Sequence, residues 1–206
     1  MGNKYFITGI STDVGKTIAA AIVTESLQAD YWKPIQAGEL DNCDTKKVKR
    51  LISNTSSKFH PNSYALQTPM SPHAAAEKEG VTIDLKKVTP PKTTNHLVIE
   101  GAGGLLVPLN DTDTILDLID ATYKVIVVSR HYLGSINHTL LTIKLLQEKG
   151  FEVAVIFSGA AHASTEKIIK KMTNAFIIGR IDEEPYFSTN VIREYAALFR
   201  ENLEKI

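Results

Sequence analysis

The chain has 206 residues, 43% of them hydrophobic, with 23 basic and 23 acidic side chains, which suits a globular domain with a sizeable core and excludes a disordered or strongly charged chain. Zero net charge excludes the broad attraction that nucleic acids and anionic membranes require, and the densest basic run, Lys46-Lys47-Val48-Lys49-Arg50, reads as the solvated face of a helix. One cysteine, Cys43, six histidines without metal-ligand spacing, no apolar leader and no long apolar run exclude an internal disulfide, structural zinc and a membrane span, so a soluble cytoplasmic protein is expected.

The elements alternate along the chain. A strand at Tyr5–Thr8 is followed by a helix at Lys16–Gln28, and a strand at Tyr31–Ile35 by a helix at Asp44–Ser53. The stretch Asn54–Pro91 holds five of the eight prolines and reads as an irregular excursion with a short helix at Pro72–Glu79. Long irregular segments in compact domains are often functional, so this one is expected near the site. Strands then follow at Leu97–Glu100, Val125–Ser129, Val153–Phe157 and Phe176–Ile178, with helices at Ile136–Lys149, Thr165–Met172 and Val191–Leu203. Runs such as Val125-Ile126-Val127-Val128 show no polar alternation, which marks strands buried on both faces and hence a parallel sheet under helices. One α/β domain over residues 1–206 is expected, a doubly wound and mainly parallel sheet with helices on both faces.

The strongest local signal is Gly9-Ile10-Ser11-Thr12-Asp13-Val14-Gly15-Lys16-Thr17, between the first strand and the first helix. A loop in that context wraps phosphates with backbone N–H groups at a helix N-terminus. Lys16 is placed to reach the terminal phosphates and Thr17 to ligate Mg²⁺. Five residues separate the glycines where four are usual, and a chance glycine turn is the competing reading.

Three further positions carry chemistry. Glu100 ends a buried strand and enters Gly101-Ala102-Gly103-Gly104, and a charge there needs a partner such as a cation. Asp44 opens a helix and is either a second metal carboxylate or a plain N-cap. Lys33 ends the second strand beside Lys16, where two cations would stabilise a transferring phosphoryl group, unless it is a surface lysine. The segment Leu133-Gly134-Ser135-Ile136-Asn137-His138 opens a long helix; its N–H groups suit a carboxylate, or Ser135 merely caps the helix.

The phosphate loop, Lys33-Pro34-Ile35-Gln36, Ser71-Pro72-His73, Glu100-Gly101-Ala102-Gly103-Gly104 and Leu133-Gly134-Ser135-Ile136-Asn137-His138 resemble, in order and spacing, the dethiobiotin synthetase family of P-loop enzymes. The resemblance implies a homodimer that forms dethiobiotin from 7,8-diaminononanoate, CO₂ and MgATP, through a carbamate and a carbamic–phosphoric anhydride. It implies that Thr12, Asp13, Val14, Gly15, Lys16 and Thr17 hold the triphosphate, with Glu100 and Gly103 beside the nucleotide. Thr17, Asp44 and Glu100 become the Mg²⁺ set, and Lys16, Lys33 and Thr12 the catalytic set. Lys33, Ser71 and Pro72 line the substrate, and Gly134, Ser135, Ile136 and Asn137 of the second subunit receive its carboxylate. Nucleic acid and membrane have no place in this scheme.

The chain departs from that family at three places. Ala37 stands where a Ser or Thr is usual, Ser158-Gly159 where an Asn often reads adenine, and Arg130-His131-Tyr132 lengthens its loop by one residue compared with some members. The alternatives are a P-loop ATPase of the partitioning or septum-positioning type and a nucleotide-dependent switch. The former carries an extra lysine early in the loop, where this chain has Ile10 or Ser11.

Overall fold

A computed structural model describes residues 2–206. Among the described residues there are nine strands: β1 (Lys4–Gly9), β2 (Asp30–Trp32), β3 (Ile35–Ala37), β4 (Phe59–His60), β5 (Tyr64–Leu66), β6 (Leu97–Glu100), β7 (Lys124–Arg130), β8 (Val153–Ser158) and β9 (Phe176–Ile181). Six α-helices join them: α1 (Lys16–Leu27), α2 (Asp44–Leu51), α3 (Pro72–Lys78), α4 (Ser135–Glu148), α5 (Ala163–Thr173) and α6 (Thr189–Leu203). Seven strands form one sheet in the order β4-β2-β6-β1-β7-β8-β9, every pair parallel.

The expected doubly wound architecture is present. Helix α1 packs on α2 and α6, and α4 packs on α5 and β7. Val125 to Val128 of β7 are buried on both faces, and withdrawing each such side chain from water is worth about 1.5–3 kcal/mol. Helix α1 is apolar nearly all round, with Ala19 to Val23 fully buried, so it lies between the sheet and two other helices instead of facing water. No helix among the described residues is long and apolar enough to cross a membrane.

Two expectations are corrected. The Tyr31–Ile35 strand is cut at Trp32 and resumes as β3, because Pro34 has no N–H to continue the ladder. The chain then leaves the main sheet, and β3 pairs with β5 in a separate two-stranded parallel sheet, Gln36 opposite Ala65. The proline-rich stretch is therefore less irregular than its composition suggests. It supplies β4 at the edge of the main sheet, β5, and the expected helix as α3.

The connection from β1 through β6 to β7 sets the site. Strand β1 lies between β6 and β7, so the chain turns in opposite directions on its two sides, and the crevice at its carboxyl end is where such sheets bind ligands. In the ladder Ile7 lies opposite Glu100 and Gly9 opposite Val128. Glu100 therefore emerges beside the loop that follows Gly9.

Candidate active site

The loop between β1 and α1 closes on itself. Gly15 adopts φ 93° and ψ 21°, a left-handed conformation that costs a residue with a Cβ energy, and it hands the chain directly to the helix at Lys16. A Cβ at Gly15 would also stand 3.1 Å from the Ser158 hydroxyl. Lys16 folds back so that its ammonium donates to the Ser11 carbonyl at 3.0 Å. Its side chain is buried, and burial is the main reason its pKa falls to about 8, with Glu100 opposing the fall and Lys33 adding to it. An anion in the loop would return that ammonium towards full charge.

The second half of the site is a charge cluster around Lys33. Its ammonium sits 2.7 Å from Asp44 Oδ2 and 3.1 Å from Glu100 Oε1. Burial pulls the Lys33 pKa down, but Glu100 and Asp44 outweigh it and the value ends above the ordinary lysine value. Asp44 shows the converse: burial pushes its carboxyl up, and Lys33 more than reverses this. Lys33 is only 4% exposed, so it is not a surface lysine. Asp44 is not the cap of α2. Cys43 holds the cap position and the Gln36 side chain, reaching from β3, accepts from the Asp44 N–H at 3.3 Å.

Glu100 divides its two oxygens. Oε1 accepts from the Thr17 hydroxyl at 2.9 Å and from Lys33, while Oε2 accepts from the Tyr31 hydroxyl at 2.7 Å. Thr17, Asp44 and Glu100 thus bring a hydroxyl and two carboxylates to one spot at the mouth of the phosphate loop. Among the described residues no group of three or more His, Cys, Asp or Glu gathers to hold a metal. The side chains alone are an incomplete cage, and such a set fits a hard cation that keeps waters and takes the rest of its oxygens from phosphates.

All of this opens into one cavity of about 1530 Å³. Thr12, Asp13, Gly15, Lys16, Thr17, Lys33, Asp44, Ser71, Pro72, Glu100 and Gly103 line it. Thr12 stands close to Gly103, its hydroxyl 3.6 Å from where a Cβ on Gly103 would lie. The other sequence candidates lie elsewhere. The Val14 side chain is 1% exposed and belongs to the core, so only its backbone can serve a phosphate. Gly134 to Asn137 open α4 outside this cavity. Gly134 is the cap residue, correcting the reading of Ser135 as cap, and Ser135 is itself buried at 2% exposure.

Residues to which the sequence reading gave no role in the site also belong here. Arg130 donates to the Asp13 carbonyl at 3.1 Å across the phosphate loop. Tyr31 and Gln36 hold Glu100 and Asp44 from behind. Lys47 and Arg50 line the cavity from the basic face of α2, and Asp182, Glu183, Glu184 and Phe187 line it beyond β9. Gln36 lay inside the Lys33-Pro34-Ile35-Gln36 run, Arg130 in the lengthened loop, and Lys47 and Arg50 in the basic run read as a solvated face; their places in the site are set by strand order and helix docking.

The strand order lays the cavity out lengthwise, with the acidic cluster of Glu100 and Asp44 on the β6 and β2 side and Arg130, Ser158 and the segment after β9 on the other. A strand, a phosphate-wrapping loop and a helix at the carboxyl edge of a parallel sheet, with acidic residues beside the loop, define a P-loop nucleotide-binding α/β protein. Residues 3–190 match the protein family described as AAA domain. The fold is that of the MinD in the MinC:MinD cell division complex of Aquifex aeolicus (TM-score 0.59, 16% identity, covering 100% of this chain and 97% of that one) and of a ParA family ATPase from Chlorobium tepidum (TM-score 0.54, 13% identity, 96% and 99%). Sequence similarity is far greater to proteins named ATP-dependent dethiobiotin synthetase BioD: 56% identity in Christiangramia forsetii over the whole of both chains, and 48% in Cytophaga hutchinsonii over 97% of this chain and 98% of that one. The chain belongs to the dethiobiotin synthetase family.

Proposed function

We propose that this ATP-dependent synthetase of biotin biosynthesis makes dethiobiotin from 7,8-diaminononanoate, CO₂ and MgATP, working as a cytoplasmic homodimer. One amine of the substrate takes up CO₂ as a carbamate. A carbamate oxygen attacks the γ-phosphorus, ADP leaves, and a carbamic–phosphoric anhydride results. The second amine attacks the carbonyl carbon, the ring closes, and phosphate leaves with one oxygen that came from CO₂.

The observation that carries the reading is the cluster itself: Lys16 and Lys33 flank Glu100 at the end of a phosphate loop, within one cavity. Carbamate and γ-phosphate are both anionic and repel each other unless cations stand between them. Lys16 and Lys33 hold the two anions, and Thr12 lies on the cavity wall beside Gly103. Thr17, Asp44 and Glu100 would hold Mg²⁺, which supplies charge neutralisation at the phosphates when bound. The triphosphate lies along Thr12 to Thr17, with its terminal phosphate towards Glu100 and the base towards Ser158 and the segment after β9. Ser71 and Pro72, at the start of α3, line the substrate side.

The dimer reading is supported by what lies outside the cavity. Leu133 is fully exposed, and Tyr132 and Ile136 beside it are 40% and 37% exposed, all around the open start of α4. An apolar patch framing a helix N-terminus suits a neighbouring subunit whose cavity receives Gly134 to Asn137. The buried free cysteine, Cys43, fits a reducing compartment.

Phosphate release tests the proposal. It is expected to be nearly silent until diaminononanoate and bicarbonate are both present, and ¹⁸O supplied in CO₂ is expected in the released phosphate. Steady ATP hydrolysis that ignores both substrates, or phosphate free of the label, would overturn the route.

A further inference from the structure

We propose that Tyr31 is a positioning residue for Glu100, its phenol hydroxyl holding one carboxylate oxygen so that the other alone faces the phosphate loop. The proposal rests on the reading of Glu100 as a metal-binding carboxylate.

The contact is short and fully enclosed. Tyr31 is 0% and Glu100 1% exposed, and the hydroxyl donates to Oε2 at 2.7 Å. Oε1 is left to Thr17 and Lys33. A carboxylate free to rotate can present either oxygen or both; one anchored through Oε2 presents Oε1 in a fixed direction. Partners of this kind around metal-ligating carboxylates fix orientation, and losing them commonly costs about 10–100-fold in metal affinity.

Tyr31 is itself well held. It sits in β2 between β6 and β4, opposite Val98 and Phe59, and its ring lies 5.8 Å from that of Phe59. A phenol ordinarily titrates at about 10, so at neutral pH its hydroxyl carries a proton to donate. The choice of a neutral donor has a physical reason. Lys33 already supplies positive charge to Glu100, and a second cation at Oε2 would weaken its pull on a metal ion, whereas a phenol directs the carboxylate without neutralising it. The bland alternative is a core aromatic whose hydroxyl merely needed a partner. The two differ in what Mg²⁺ dependence reports.

The experiment compares wild type, Tyr31→Phe, Glu100→Gln and the double variant, titrating Mg²⁺ against binding of a fluorescent ATP analogue, with the affinity in EDTA and the melting temperature read alongside. Tyr31→Phe is expected to raise the half-saturating Mg²⁺ concentration about 10–100-fold and to leave the EDTA affinity unchanged. In the Glu100→Gln background it is expected to add nothing. A lower melting temperature with an unchanged Mg²⁺ midpoint overturns the proposal, as does an equal further shift in the Glu100→Gln background. If Glu100→Gln leaves the midpoint where it was, the metal reading of Glu100 has failed and this inference fails with it; a response to Glu100→Gln without one to Tyr31→Phe strikes Tyr31 alone. Should Tyr31→Phe not fold, 4-fluorophenylalanine at position 31 fills the space of the hydroxyl without donating, and the same rise of about 10–100-fold in the Mg²⁺ midpoint is expected. No shift there overturns the assignment.

Discussion

Replacing Lys33 by methionine keeps most of the side-chain volume and deletes the ammonium between Asp44 and Glu100. Those carboxylates lie 2.7 and 3.1 Å from it, at 18% and 1% side-chain exposure. Removing one partner of a buried ion pair costs about 3–5 kcal/mol, because the charge left behind has lost both water and its counter-ion. The lower end applies here, since Asp44 touches solvent and Lys16 also acts on Glu100. For a domain of this size about 3 kcal/mol lowers Tm by roughly 6–12 °C. Thermal denaturation followed by circular dichroism, in EDTA and in Mg²⁺, is the assay. In EDTA the full loss is expected; in Mg²⁺ the loss is expected to shrink, because the divalent ion neutralises the same two carboxylates. Turnover is expected to fall at least ~100-fold whatever the metal concentration, if Lys33 stabilises the phosphoryl transition state. A Tm loss identical in EDTA and Mg²⁺ would refute the shared-site electrostatics, and near-normal turnover would remove Lys33 from the mechanism.

Three further outcomes follow from the geometry. Gly15→Ala forces a Cβ onto a left-handed residue and against the Ser158 hydroxyl, so a stability loss of about 1–3 kcal/mol and weaker nucleotide binding are expected together, read by denaturant melts and a fluorescent nucleotide titration. Gly179→Ala, in β9, would drive a methyl into the buried Phe199 ring of α6, costing about 1–3 kcal/mol with nucleotide affinity unchanged. Asp30 illustrates pH dependence. Burial pushes its carboxyl up, but the Lys58 N–H, the Thr93 hydroxyl, His60 and the Asn95 amide outweigh that and hold it below the ordinary carboxylate range. A lowered folded-state value contributes stability above the unfolded carboxylate pKa, lost as pH falls through the folded value. Asp30→Asn is therefore expected to lose about 1–3 kcal/mol at neutral pH, with the gap to wild type narrowing below about pH 4 in urea melts.

Local sequence was enough for the elements whose signals are local. The glycine loop ending in Lys16-Thr17 names a phosphate cradle because backbone geometry and helix N-terminus are both written within nine residues. Val125 to Val128 announce a doubly buried strand because no residue among them could face water. Glu100 at the end of Leu97-Val98-Ile99 marked itself as a charge needing a partner, and the structure gives it three hydrogen-bond donors.

Tertiary structure decided everything that depends on which strand lies beside which. Placing β6 between β1 and β2 brings Glu100 from 83 residues away onto Thr17, and from 69 residues away onto Tyr31. Composition cannot encode that neighbour relation, so in the sequence Tyr31 carried no role beyond opening a strand. The sequence reading ran one strand through Pro34 and missed the break there, and the swing of β3 onto β5, which lets Gln36 hold the start of α2 at Asp44, follows from long-range pairing. The sequence determined the chemistry this protein can perform, because residue types and their spacing along a turn are local quantities; the aim of each carboxylate was left to the packing, because aim is set by contacts between segments far apart in the chain.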